Sequence, residues 1–219
     1  MADEVILLNF WLSPYGMRVR IALEEKGIKY ENREEDFSNK SPLFLQMNPV
    51  HKKIPVLIHN GKPVCESLNV VEYIDEVWNH HSPLLPSDPY QRAQARFWAN
   101  YVDTKVNEIA LRFWKTEGEE KEAAKREFLE CLKLLEKQLG DKPYFGGDKF
   151  GLVDVALIPL VYGFYTYSFY NYFIKDAQYP QITAWVKRCA ERESVSKCFP
   201  EEQKVKEFVS QKKKNLNSD

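Results

Sequence analysis

The chain has 219 residues, 31 of them basic and 32 acidic, for a formal net charge of −1; that balance argues against a nucleic-acid partner gripped by bulk charge. Its length builds one large domain or two small ones with substantial cores. The four cysteines, Cys65, Cys131, Cys189 and Cys198, are scattered without CxxC spacing, which excludes a disulfide framework and a cysteine zinc site.

After Met1-Ala2-Asp3-Glu4 the chain enters an apolar run, with no cationic, apolar and small-residue succession of a signal peptide. A reducing intracellular compartment is the expectation. Val5 to Asn9 reads as a buried strand. Met17, Ile21 and Ala22 then recur at helical spacing, and Gly27 is a stop. Between them lies Ser13-Pro14, an N-cap followed by a first-turn proline. An anion approaching this point meets backbone N–H groups, the positive end of the helix dipole and one hydroxyl. A Ser-Pro start is also an ordinary cap, and alone it decides nothing.

Lys29–Glu34 reads as a second strand and Pro42–Met47 as a short helical turn. Apolar residues on both sides of Asn60-Gly61 predict a type I′ hairpin between Ile54–His59 and Lys62–Val64. A helix follows over Ser67–Trp78, with Val70, Val71, Ile74, Val77 and Trp78 inward. The order β-α-β-α-β-β-α, with a parallel first crossover and an antiparallel last pair, is the thioredoxin-like arrangement.

Asn79–Pro89 breaks the periodicity with three prolines (Pro83, Pro86, Pro89) and reads as a linker. The rest is helical. Phe97, Trp98, Tyr101, Val102, Val106, Ile109 and Phe113 fall on one continuous helical stripe; Phe128, Leu132, Leu135 and Leu139 form another, ending at Gly140. Leu152–Ile174 is long and aromatic, yet Asp154, Pro159, Gly163 and Asn171 suit a buried helix of a water-soluble core rather than a membrane span. A helix near Pro180 turns Ile182, Trp185, Val186 and Cys189 inward. A last amphipathic stretch carries Val205, Phe208 and Val209, and Lys212-Lys213-Lys214 reads as a solvated tail. The division expected is therefore an α/β thioredoxin-like domain over 1–78, a linker over 79–89 and an all-α domain over 90–219.

SPYGMRVRIALEEKG, the NPVHKKIPVL run, the hairpin and CESLNVVEYIDEVW, followed by a helical half, resemble a soluble glutathione transferase, in particular the plant tau class. The resemblance spans nearly the whole chain and is densest in the first 80 residues. It implies a glutathione site on the first domain, a site for small hydrophobic electrophiles between the domains, a homodimer and a cytosolic location. Neither metal, nucleic acid nor membrane is implied. Ser13 falls at the catalytic serine that donates to the glutathione sulfur. Lys40 and Lys53 fall where the glycine carboxylate is held. Ile54 precedes Pro55, similar to a cis-proline that bares the backbone of residue 54 to the cysteinyl unit. Glu66 and Ser67 resemble the pair that grips the γ-glutamyl end.

Those residue types suit the tripeptide independently: two lysines for a carboxylate, Glu66 for an ammonium, and Ser67 at a helix start for the second carboxylate. Taken one at a time they also read as surface lysines and a plain helix start. Arg18 adds to the field at the thiol or bridges the domains as an ion pair. Tyr15, Asn107, Leu111, Trp114 and Phe208 are candidates for the wall of the electrophile pocket, the first four being equally compatible with core or surface duty. Cys65, beside Glu66, reads as a buried strand cysteine or a redox sensor. A serine at 13 cannot form the mixed disulfides a cysteine would, which favours conjugation, with peroxide reduction as a side activity. The alternative is a non-catalytic binding or transport protein for bulky apolar metabolites. Two positions depart from the family's pattern: Gly151 stands where Ser or Thr often caps the helix of Asp154, removing one reciprocal bond, and Gly163 stands where a bulky aromatic is expected over the pocket.

Overall fold

A computed structural model of the chain describes residues 3–166 and 178–216. A four-stranded sheet of order β2-β1-β3-β4 organises the first part: β1 (Val5–Asn9), β2 (Glu31–Glu34), β3 (Val56–His59) and β4 (Lys62–Cys65). β1 runs parallel to β2 and antiparallel to β3, and β3 runs antiparallel to β4. Central β1 and β3 are apolar and buried. Edge strand β2 is exposed throughout and carries three charges, Glu31, Arg33 and Glu34, which discourages pairing with another chain. It starts at Glu31 rather than Lys29, where its partner Ile6 offers the first rung. Asn60 and Gly61 have φ of 49° and 77°, both positive as the type I′ turn requires.

Helix α1 (Pro14–Glu25) and helix α3 (Ser67–Val77) share one face of the sheet, while α2 (Pro42–Met47) covers the other through Phe44. On α3, Val70, Val71 and Ile74 are buried as expected, but Val77 is 38% exposed. The chain leaves helical geometry at Trp78 (φ −106°, ψ 57°), and Trp78 folds against His59 instead, ring centroids 4.9 Å apart.

The segment that follows is tied to the first part by a buried ion pair. Lys26 Nζ donates to Asp75 Oδ1 at 2.6 Å and to the Ser82 carbonyl at 2.9 Å; the same carboxylate accepts from the amides of Leu84 and Leu85.

In the helical part the expected continuous stripe is interrupted. α4 (Pro89–Tyr101) passes through one π turn, Val102–Val106, into α5 (Asn107–Lys115). Val102, Val106, Ile109 and Phe113 are buried through this turn, while Phe97 is 58% exposed, because at about 3.6 residues per turn it stands well away from the face that Val102, Ile109 and Phe113 share. α6 (Gly118–Leu139) buries Phe128, Leu132, Leu135 and Leu139 and stops at Gly140. α7 (Leu152–Thr166) packs on α1, α4 and α3; the rest of the expected helix to Ile174 lies outside the described residues. α8 (Pro180–Ala190) turns Ile182, Trp185, Val186 and Cys189 inward. The short α9 (Glu193–Ser196) and α10 (Glu202–Leu216) complete the described chain. Among the described residues no helix is long and apolar enough to cross a membrane.

Gly151 has a steric reason to be glycine. A Cβ there would lie 2.9 Å from the Leu84 carbonyl, the oxygen that accepts the Leu152 amide at 2.8 Å. The reverse half of the cap survives: Asp154 Oδ2 accepts from the Gly151 amide at 2.9 Å. Its Oδ1 accepts from the Phe145 amide at 3.0 Å and the Trp185 indole at 2.7 Å. Complete burial pushes the Asp154 carboxyl up to about 6 despite these donors.

Candidate functional site

Ser13 ends the loop from β1 and caps α1, with φ −70° and ψ 120°, and is only 7% exposed. Its Oγ accepts from the Gly16 amide at 3.2 Å, and its own amide donates to the Phe10 carbonyl at 2.9 Å. The loop is pinned from β2, where Glu34 Oε2 accepts from the Trp11 amide at 2.7 Å. A hydroxyl has one donor hydrogen and two lone pairs. The Gly16 bond uses a lone pair and leaves the hydrogen to be donated outward at the helix mouth.

Two buried side chains that the sequence reading passed over shape the next segment. Glu35 accepts from both the amide and the hydroxyl of Ser41, at 3.1 and 2.8 Å, so its carboxylate fixes the chain beside Lys40. Asn48, 2% exposed, donates to the Lys53 carbonyl at 2.8 Å and accepts from the His51 amide at 3.1 Å, closing the loop that carries Lys53. Lys40 Nζ reaches the Lys52 carbonyl at 3.2 Å, which brings both candidate lysines to one loop pair. The Ile54–Pro55 peptide is cis. Asn48 before Pro49 is a turn signal; Glu35, within Arg33-Glu34-Glu35-Asp36, lies in a charged run that carries no sign of its burial.

Glu66 occupies the left-handed region at φ 69° just before α3, an uncommon conformation for a non-glycine residue. His51 Nδ1 lies 3.8 Å from its carboxylate. Ser67 is buried, and its Oγ accepts from Arg18 Nη1 at 3.1 Å. Arg18 is wholly buried. It also donates to the Ala156 carbonyl of α7 at 3.0 Å and pairs with Asp103 of the π turn, and its guanidinium stacks 5.2 Å from the Tyr15 ring centroid. Of the two roles weighed for Arg18, the structure realises the bridge between the two parts, through the Ala156 carbonyl and Asp103.

The candidates for the pocket wall divide. The Tyr15 hydroxyl accepts from Asn107 Nδ2, joining α1 to α5, and burial raises the phenol's pKa. Leu111, one turn further along α5, is exposed; the side chain of Trp114 lies outside what the structure describes. Phe208 packs on Phe10 and Trp11. A groove of about 450 Å³ opens between the Phe10–Trp11 loop, residues 34–38 and Phe208; Tyr15, Asn107 and Leu111 do not line it.

Burial raises the pKa of all four cysteine thiols, Cys65 with help from the Glu66 charge. Cys65 is half-buried, its thiol 3.7 Å from the Met47 carbonyl, and it lacks the depressed pKa of a reactive thiol. Among the described residues no group of three or more His, Cys, Asp or Glu could hold a metal ion.

Two family models match the chain: "Glutathione S-transferase, N-terminal domain" over residues 3–76 and "Glutathione S-transferase, C-terminal domain" over residues 118–188. "Probable glutathione S-transferase parC" of Nicotiana tabacum is 62% identical over 94% of either chain. "Glutathione S-transferase U19" of Arabidopsis thaliana is 60% identical over 99% of either chain. The chain belongs to the plant tau class of the glutathione S-transferase family. As a transferase it also superposes on solved relatives. Rice GST1, crystallised in complex with glutathione, is 46% identical, with TM-score 0.90 and 98% of each chain covered. The Tau class glutathione S-transferase of mango is 42% identical, with TM-score 0.88 and coverage of 94% of this chain and 97% of that one.

Proposed function

We propose that this transferase joins the thiolate of glutathione to small hydrophobic electrophiles, with Ser13 as the catalytic hydrogen-bond donor to the sulfur. The reading is carried by the Ser13 hydroxyl at the mouth of α1, its lone pair engaged by the Gly16 amide at 3.2 Å and its hydrogen left over. A free thiol with a pKa of about 8.5 is roughly 3% ionised at pH 7. Lowering that pKa by about two units requires about 2.7 kcal/mol of selective thiolate stabilisation. One charge-assisted hydrogen bond supplies about 1.5–3 kcal/mol, and the helix end about 0.3–1. These magnitudes close without a metal or a general base.

Lys40 and Lys53 take the glycine carboxylate of glutathione, and the backbone of Ile54, before Pro55, pairs with its cysteinyl unit. Glu66 takes the γ-glutamyl ammonium. Ser67, whose lone pair Arg18 engages, donates its hydrogen to the γ-glutamyl carboxylate. The thiolate then attacks the electrophilic carbon, its electron pair forming the C–S bond while the leaving group departs with the displaced pair. Phe208, with Phe10 and Trp11, walls the electrophile's side, while Tyr15, Asn107 and Leu111 stand outside that groove. With a hydroperoxide in that place, two glutathiones are oxidised to the disulfide as the peroxide is reduced to alcohol and water.

The chain divides into a glutathione domain over 1–78, a linker over 79–89 and an electrophile domain over 90–219. It acts in the cytosol as a homodimer; exposed Tyr90 and Phe97 on α4 support a twofold contact there. Glu76 and Arg92 are the ionic candidates for that contact, since Arg96 is bound to Glu72 of its own chain at 2.7 Å. Steady-state kinetics of Ser13→Ala with an aryl halide test the assignment. The expected result is a kcat about a hundredfold lower with the glutathione KM little changed; a kcat within threefold of the parent refutes it.

A further inference from the structure

Asn9 is the one polar residue of β1 and is wholly buried. Its Nδ2 reaches Asn32 Oδ1 at a long 3.4 Å, and its Oδ1 has no hydrogen-bond partner among the described residues. A buried amide oxygen left unpaired costs free energy, so its persistence needs a reason. The oxygen rests against the first turn of α1: a Cβ placed on Gly16 would lie 1.6 Å from Asn9 Oδ1, 2.6 Å from its Cγ and 3.1 Å from its Nδ2. The first of these is less than half the roughly 3.5–4.0 Å at which non-bonded carbons pack. Glycine is a poor helix residue, yet here no other residue lets the strand's amide into the turn.

The residue pressed by Asn9 is the one whose N–H holds Ser13 Oγ. The Asn9 carbonyl in turn accepts the Glu35 amide at 2.7 Å, and Glu35 fixes Ser41 beside Lys40. We propose that Asn9 and Gly16 are a size-matched pair of positioning residues that sets where the Ser13 hydroxyl stands, and so how far the bound thiol is ionised. This rests on the reading of Ser13 as donor to the glutathione sulfur. A side chain at 16 pushes the turn off Asn9 and carries the hydroxyl with it. Displacements of about 1 Å can cost on the order of a hundredfold in rate.

The test compares Gly16→Ala, the double variant Asn9→Gly/Gly16→Ala, and Ser13→Ala. The readouts are kcat, the glutathione KM and the pH of half-ionisation of bound glutathione, followed by thiolate ultraviolet absorbance. Gly16→Ala is expected to lower kcat at least tenfold, raise the half-ionisation pH by about one unit and leave the KM within about threefold. The double variant, in which the amide has been removed, is expected to return kcat and half-ionisation to within about threefold and 0.3 unit of the parent. A Gly16→Ala protein with parental half-ionisation overturns the inference, even if it is less stable, because a merely structural contact leaves that pH alone. Where Gly16→Ala does not fold, an active double variant upholds the size match. A double variant that is inactive or insoluble overturns it. Ser13→Ala separates the two levels: parental activity there removes the underlying reading, whereas its collapse beside an unaffected Gly16→Ala removes only the positioning pair.

Discussion

Replacing Arg18 by methionine keeps most of the buried aliphatic volume and removes every donor. The structure gives the loss as three bonds: to the Ala156 carbonyl at 3.0 Å, to Ser67 Oγ at 3.1 Å, and to Asp103. Asp103 is about one-third exposed, so water compensates it and the pair is worth about 1 kcal/mol. The other two are buried and contribute about 1 kcal/mol each after solvent exchange. Near 3 kcal/mol in a chain of 219 residues lowers the melting temperature by about 6–12 °C. Ser67 loses the donor that orients it, so the glutathione KM rises roughly fivefold, equivalent to about 1 kcal/mol. Calorimetry and initial-rate kinetics on the same preparation measure both. A melting point within 2 °C of the parent together with an unchanged KM refutes the bridging role of Arg18.

Asp154→Asn keeps one acceptor oxygen but turns an amide N–H₂ toward the Gly151 amide, and is expected to cost about 1–2 kcal/mol. The parent carboxyl, pushed up to about 6 from an ordinary 3.8, binds its proton more readily folded than unfolded. Its contribution to stability therefore grows as pH falls from about 6 to about 4 and is lost as pH rises through about 6. Urea titrations should find the parent's advantage over Asp154→Asn wider at pH 4 than at pH 7; a narrower one at pH 4 contradicts the assignment. Gly151→Ser restores the capping hydroxyl, worth a few tenths of a kcal/mol over glycine, but drives Cβ to 2.9 Å from the Leu84 backbone carbonyl. Overpacking costs about 1–3 kcal/mol, so the melting point should fall, and a rise would show that the close approach relaxes freely. Lys40→Ala and Lys53→Ala should each raise the glutathione KM several-fold with kcat nearly unchanged, as kinetics at two ionic strengths will register. A kcat loss without a KM change removes them from the carboxylate.

The elements with local signals were legible. Asn60-Gly61 carries its turn in its own backbone preferences, and Ser13-Pro14 carries its cap. β1 and β3 are apolar runs too short for helices. What escaped depends on contacts between distant segments. Nothing in Val102–Val106 announces a π turn, and Phe97, grouped with the stripe as an aromatic, stands at the surface because helical geometry turns it away from the face of Val102 and Ile109. Val77 obeys the period of α3 yet lies where the helix ends and Trp78 takes the inner place. Gly151 looked like a missing cap until the Leu84 carbonyl was brought beside it from 67 residues away. Glu35 sits in a run of charged residues and Asn9 at a strand terminus; only the fold brings one to Ser41 and the other to Gly16.

The pH at which glutathione bound to the protein loses its thiol proton, read by ultraviolet absorbance in the parent and in Ser13→Ala, tests the chemistry most directly. With the hydroxyl as donor, half-ionisation in the parent falls about two units below the free thiol's value of about 8.5, and in the variant it returns to within about half a unit of that value. The same half-ionisation pH in both proteins would contradict the role given to Ser13.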